Sequence, residues 1–269
     1  LQKRSKVLYC KNNFRFINKF KGGVIMKKIF MSILLGFMAA APCMAVQTFE
    51  KDIIKTAKGD LEITFIGHGT LMFKFDNKII HVDPWTKLAD YSLLPKADII
   101  LVTHEHRDHL DLKALEILQT RDTETIVTQN CYDQVKNGII MKNGDIKQVK
   151  GLNIEAVAAY NIVHMRSKGN PFHPKGDGNG YIITFGDKKI YIAGDTENIP
   201  EMKQLKDIHA AFLPMNLPYT MTPEMTADAA LSFSPEILYP YHFGETDLSI
   251  IANLLKDNKN IDLRLRNMK

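Results

Sequence analysis

Seven consecutive residues hold the densest chemistry in this chain. Thr103-His104-Glu105-His106-Arg107-Asp108-His109 places His104, His106, Asp108 and His109 within six positions. Three imidazoles and a carboxylate suit a borderline divalent ion such as zinc, and also manganese or iron. The bland alternative is a polar loop with incidental histidines. At ordinary residue usage, a His-x-His-x-Asp-His string arises by chance in roughly one chain in several thousand. The cluster follows Ala97-Asp98-Ile99-Ile100-Leu101-Val102, which reads as a buried strand. A strand end is a rigid platform, and the loop leaving it can turn several side chains toward one point.

A single ion needs only three or four ligands, and more donors stand at other strand ends. His173 precedes the strand at Tyr181, Asp195 follows the strand Lys189–Ala193, and His242 follows the strand Ile237–Tyr241. Alone, each would be a turn or cap residue. With the cluster, they are enough for a two-metal centre.

The positioning elements are strands first. β-branched or aromatic runs bounded by Gly, Asn, Asp or Pro predict strands at Leu61–Ile66, Leu71–Phe75, Lys78–Val82, Asp98–Thr103, Thr125–Thr128 and Ile146–Val149. More follow at Leu152–Ala158, Tyr181–Phe185, Lys189–Ala193, Ala210–Leu213, Ile237–Tyr241 and Ile261–Leu265. Asp76-Asn77 and Gly186-Asp187 read as hairpin turns. Helices are expected at Asp111–Gln119, from Thr222 through Leu231, and at Asp247–Lys256. This order predicts a layered α/β protein with helices outside two sheets.

The 269 residues and net charge of +5 describe an ordinary globular chain that looks basic. The first 45 residues hold nine Lys and Arg and no Asp or Glu, leaving 26 basic and 30 acidic groups beyond them, a net of −4. That balance argues against a nucleic-acid partner. Lys27-Lys28, the apolar run Ile29–Ala41 and the small residue Ala45 predict a signal peptide over 26–45. Residues 1–25 read as a mis-called upstream segment, and 46–269 as the working domain. The expected product is exported, periplasmic or secreted, without stable membrane insertion after cleavage. Beyond residue 45 only Cys131 remains, so no internal disulfide or Cys-based metal site is expected there.

Here the sequence resembles the metallo-β-lactamase superfamily. The motif Thr-His-x-His-x-Asp-His at 103–109, Gly194-Asp195-Thr196 and Pro240-Tyr241-His242-Phe243 carry the resemblance. Ile66-Gly67-His68-Gly69-Thr70 and His81-Val82-Asp83-Pro84-Trp85 are similar to motifs of one branch. That branch contains ascorbate-6-phosphate lactonases and N-acyl phosphatidylethanolamine phospholipases D. The resemblance implies a single-domain four-layer αββα sandwich and two divalent ions, zinc first. It implies His104, His106 and a third histidine on one ion, Asp108, His109 and His242 on the other, and Asp195 between them. The third histidine departs from the branch pattern: Ala159-Tyr160-Asn161 stands where Ala-x-His-Ser is usual. His164 and His173 are the candidates. His173 is preferred, because Phe-His-Pro-Lys-Gly accompanies Ala-Tyr-Asn in a hydrolase-like subgroup.

The implied chemistry is hydrolysis of an ester, lactone or phosphodiester bond in a small, anionic substrate by metal-bound hydroxide. Asp108 and His68 are the candidate catalytic residues. Asp83 is either an orienting partner of a ligand imidazole or a simple Asp-Pro turn. His81 is expected to be structural. Lys175, in a glycine-rich loop, is read either as an anion contact or as plain surface. Tyr160, Tyr219, Thr220 and Met221 are pocket candidates. The competing readings are an iron-dependent redox enzyme of the same fold and a non-catalytic metal- or ligand-binding protein.

Overall fold

Two mixed sheets of seven strands each carry the chain. The structure is a computed structural model and describes residues 47–268. The segments 1–25 and 26–45 lie outside the described residues.

The first sheet runs in sequence order: β1 (Glu50–Thr56), β2 (Gly59–Gly67), β3 (Thr70–Phe75), β4 (Lys78–Val82), β5 (Ile99–Leu101), β6 (Glu124–Val127) and β7 (Ile139–Ile140). Strands β1 to β4 pair antiparallel, and β4 to β7 pair parallel. The second sheet contains β8 (Ile146–Val149) and β9 (Leu152–Ala159). A detached hairpin of β10 (Met165–Ser167) and β11 (Asn170–Pro171) intervenes. The sheet resumes with β12 (Gly178–Phe185), β13 (Lys188–Ile192), β14 (Ile208–Pro214), β15 (Ile237–Tyr241) and β16 (Asp262–Leu263). It too is antiparallel up to β13 and parallel from β13 to β16.

Strand alternation sets the layers. Phe73 and Phe75 of β3, and Ile99 and Leu101 of β5, join the core between the sheets. Met72 and Ile100, one residue over, join a second core on the outer face. Aromatic contacts bind the sheets: Phe65 to Tyr239 at 5.2 Å, Phe75 to Phe185 at 5.3 Å, and Phe73 to Phe185 at 5.6 Å between ring centroids.

Helices close both outer faces. α1 (Leu112–Leu118) is capped by the Asp111 carboxylate, and α2 (Gln129–Val135) by Thr128. Their buried residues Ala114, Leu115, Leu118 and Cys131 pack on the first sheet. α3 (Pro223–Phe233) starts at the Thr222 cap and seats Phe233 on Tyr191, and α4 (Leu248–Leu255) is capped by Asp247 and contacts α3. The order helix, sheet, sheet, helix is the expected αββα sandwich. Cys131 is buried inside it, and burial pushes its thiol up to about 11, the mark of a packing residue and not a nucleophile.

The site follows from topology. Loops leaving the C-terminal ends of parallel strands are where α/β sheets gather functional groups. Asp83 leaves β4, the 103–109 cluster follows β5, Asp195 follows β13 and His242 follows β15.

Candidate metal centre

Asp195 stands between two donor groups. Its Oδ2 lies 3.3 Å from His173 Nε2 and 4.0 Å from His104 Nε2. Its Oδ1 lies 3.5 Å from both His109 Nε2 and His242 Nε2. His106 Nδ1 completes the first group, 3.0 Å from His104 Nε2 and 3.1 Å from His173 Nε2. Asp108 Oδ2 completes the second, 3.4 Å from His242 Nε2 and 3.6 Å from His109 Nε2. All seven predicted ligand positions therefore converge, drawn from four separate loops.

Outer partners fix several ring orientations. His109 Nδ1 donates to Asp83 Oδ2 at 2.7 Å, and His173 Nδ1 donates to Asn161 Oδ1 at 2.7 Å. Thr103 Oγ gives its own proton to Asp83 Oδ2 and lies 3.0 Å from His104 Nδ1. With the outer nitrogens so engaged, the Nε2 lone pairs of His104, His109 and His173 face inward, as ligation requires. The buried Asp195 Oδ1 has no hydrogen-bond donor. A buried carboxylate oxygen of this kind calls for a cation, and the residues present fit a pair of divalent ions.

The donors differ in charge: burial lowers the His109 imidazole, but the charges of Asp195 and Asp83 outweigh it and raise it well above the usual range, a positive charge that a bound cation would replace. Burial, reinforced by the neighbouring His109 charge, holds His104 well below the usual imidazole range. Burial also lowers His106 and His68. Neutral imidazoles are the ligating form. Burial pushes the Asp195 carboxyl up, but the charges of His242 and His109 outweigh it and hold the group ionised. Asp108 is likewise raised by burial and lowered further by bonds to His242 and His68.

The backbone is strained here. His68, Asp83 and His242 adopt φ of 50°, 44° and 47°. Such left-handed non-glycine residues cluster where surrounding structure over-determines them. The His242 amide donates to the His68 carbonyl, and the His68 amide to that of Met268. The His68 ring lies 3.8 Å from that of His242, with Nε2 3.0 Å from Asp108 Oδ2. Gly69 leaves room for His109 and His242: a Cβ there would sit 3.0 Å from His109 Cε1 and 3.3 Å from His242 Cδ2.

The two candidates for the third histidine separate cleanly. His173 is buried within the first group, whereas His164 lies beside Glu197, its Nδ1 2.7 Å from Oε1. Asp83 does more than make a turn, since it also accepts from the Thr103 amide at 2.8 Å. His81 is buried away from the centre, against the Pro95 carbonyl. Lys175 turns outward onto Glu201 at 2.7 Å and does not line the cavity. Tyr160 also bonds Glu201, Thr220 caps its own turn and Met221 is core, so only Tyr219 of that set lines it.

The cleft over the centre measures about 500 Å³. Trp85, Arg107, Arg166, Asn216 and Tyr219 wall it. Glu197 and Arg166 were not singled out from the sequence, and Asn161 stood there only as part of the Ala-Tyr-Asn motif, without a role. Glu197 is fully buried and accepts from the amides of Ile162, Val163 and His164, each at 2.7 Å. Its one sequence signal was an acid placed directly after Gly-Asp-Thr.

The fold and centre together define a class. Residues 62–242 match the beta-lactamase superfamily domain, and the chain belongs to the metallo-β-lactamase superfamily. It is similar to a UPF0173 metal-dependent hydrolase of Methanopyrus kandleri, 29% identical over 196 residues, covering 68% of this chain and 84% of that protein. It is also similar to the crystal structure of a candidate metal-dependent hydrolase from Parabacteroides distasonis. That match has 51% identity and a TM-score of 0.79, and covers 82% of this chain and all of the other. A metallo hydrolase of Ignicoccus hospitalis, Igni18, matches at 25% identity and a TM-score of 0.64, over 77% of this chain and 95% of that one.

Proposed function

We propose that this metal-dependent hydrolase holds two divalent ions, zinc first, and cleaves an ester, lactone or phosphodiester bond of a small molecule. The observation carrying the two-ion reading is Asp195, whose two oxygens face two separate sets of donors. His104, His106 and His173 would hold one ion, Asp108, His109 and His242 the other. Bound there, such ions acidify water and polarise the oxygen of the bond to be cleaved.

The chain's own groups then have assigned tasks. Asp108 stays ionised at the cavity wall, so its carboxylate accepts a hydrogen bond from the attacking water and orients it. His68 is neutral, keeps a proton at Nε2 against Asp108 Oδ2, and so fixes that carboxylate. Trp85 and Tyr219 offer apolar walls to the rest of the substrate. The protein acts after export, with the leader 26–45 removed. N-terminal sequencing of protein from the host envelope tests that, with Val46 as the expected first residue.

The functional test is a panel of lactones, phosphodiesters and N-acyl amides. It is run on purified protein beside a His106→Ala/Asp108→Ala double variant. Turnover in the wild type and none in the variant is expected. Equal activity in both would reject the mechanism.

A further inference from the structure

Arg166 sits on the detached β10–β11 hairpin, outside both sheets, yet its guanidinium reaches the centre. Its Nη2 lies 3.0 Å from His106 Nε2, and its plane packs over Phe172 at 5.3 Å. Phe172 in turn meets Tyr219 edge-on at 5.1 Å. The hairpin leaves from Ile162–His164, whose amides are pinned by the buried Glu197. It returns at His173, whose amide donates to Asn161 Oδ1 at 2.9 Å. Arg166 is thus delivered by a loop that is tied at both roots.

The contact with His106 is frustrated in the ligating state. His106 Nδ1 faces His104 and His173, so ligation leaves its proton on Nε2. Arg166 is also donor-only. Two N–H donors then face each other across 3.0 Å with no acceptor between them. Arg107 lies on the same cavity wall as Arg166. Two guanidiniums lining one cavity suit the oxygens of a carboxylate or phosphate.

We propose that Arg166, with Arg107, is the specificity-determining site for an oxyanion carried by the substrate away from the bond being cleaved. The guanidinium swings off the His106 Nε2–H, and an oxygen of the oxyanion then accepts from both donors, while an apolar portion lies against Trp85 and Tyr219. This inference rests on the two-ion reading for the His106 tautomer.

Trp85 is the only tryptophan in the chain and lines this cavity, so its fluorescence reports occupancy without any turnover. Metal-loaded protein is titrated with phenylphosphonate, phenylacetate and the neutral phenylacetamide. Expected is anion binding at least tenfold tighter than the amide. Arg166→Met should lose that margin for the anions, leave the amide within twofold, and keep its metal content. Arg166→Lys should fall between, because it keeps charge without the planar fork. A stronger effect with phenylphosphonate or with phenylacetate identifies the oxyanion as phosphate-like or carboxylate-like. Equal affinity for anions and amide, no anion binding, or unchanged anion affinity in Arg166→Met would overturn the inference. An inactive hydrolase panel with intact anion binding would fault the hydrolytic reading alone.

Discussion

Asp83 Oδ2 and His109 Nδ1 lie 2.7 Å apart, both side chains fully buried. The carboxylate has no room for a donor, because it also accepts from the Thr103 amide and hydroxyl. Replacing Asp83 with Asn puts an NH₂ among those donors and releases the His109 ring. Outer partners of ligand histidines typically hold about 10–100-fold in metal affinity. Asp83→Asn should show a loss of that size in a competition titration against a chelator. Affinity equal to wild type would leave Asp83 as a turn residue only.

The choice between His173 and His164 has a direct chemical readout. His173 Nε2 faces both His106 and Asp195, while His164 stacks its nitrogen on Glu197. His173→Ala should therefore lose one metal equivalent by elemental analysis, and His164→Ala should keep two. The reverse result would exchange their roles.

Gly69 tests how closely the centre is packed. Its missing Cβ leaves space that His109 and His242 use, with contacts of 3.0 and 3.3 Å for an added methyl. Both rings are candidate ligands, so Gly69→Ala should displace the second group by a few tenths of an ångström. Small misplacements of catalytic groups cost on the order of tenfold or more in rate. Turnover should fall by at least that factor while the thermal midpoint moves little. A large midpoint drop with normal specific activity would place the glycine's role in folding.

The sandwich and the candidate ligand positions were legible in the sequence, the strands from local signals and the grouping of the donors from the family resemblance. Buried strands carry apolar runs, and the candidate ligands are chemically conspicuous residues at strand ends. β1 was missed because it is a polar edge: Glu50, Lys51, Lys55 and Ile53 face solvent, and only Ile54 is buried. α2 has seven residues and a single buried side chain, Cys131, too little for a helical period to show. The contacts of Arg166 and Asn161 were not legible for another reason. The partner of Arg166, His106, lies 60 positions away with no motif linking them, whereas Asn161 and His173, 12 positions apart, were linked only by the pairing of their two motifs and not by a stated contact. Lys175 carried a plausible anion-binding pattern, but Glu201, 26 positions on, neutralises it.

His81 supplies a pH test independent of the metal centre. Its ring is buried beneath Tyr91, with one nitrogen on the Pro95 carbonyl and the other unpartnered. Burial, only partly offset by that carbonyl, lowers it from 6.5 to about 4. Below pH 6.5 the unfolded chain therefore takes up a proton that the folded chain refuses. Stability is full above that pH and falls as pH drops toward 4, by about 3 kcal/mol across the window at most. His81→Gln cannot titrate, so its unfolding free energy should fall less steeply over the same range. Denaturant melts of both proteins at pH 7 and pH 4.5 give the comparison. Identical slopes in the two would remove His81 from the acid response.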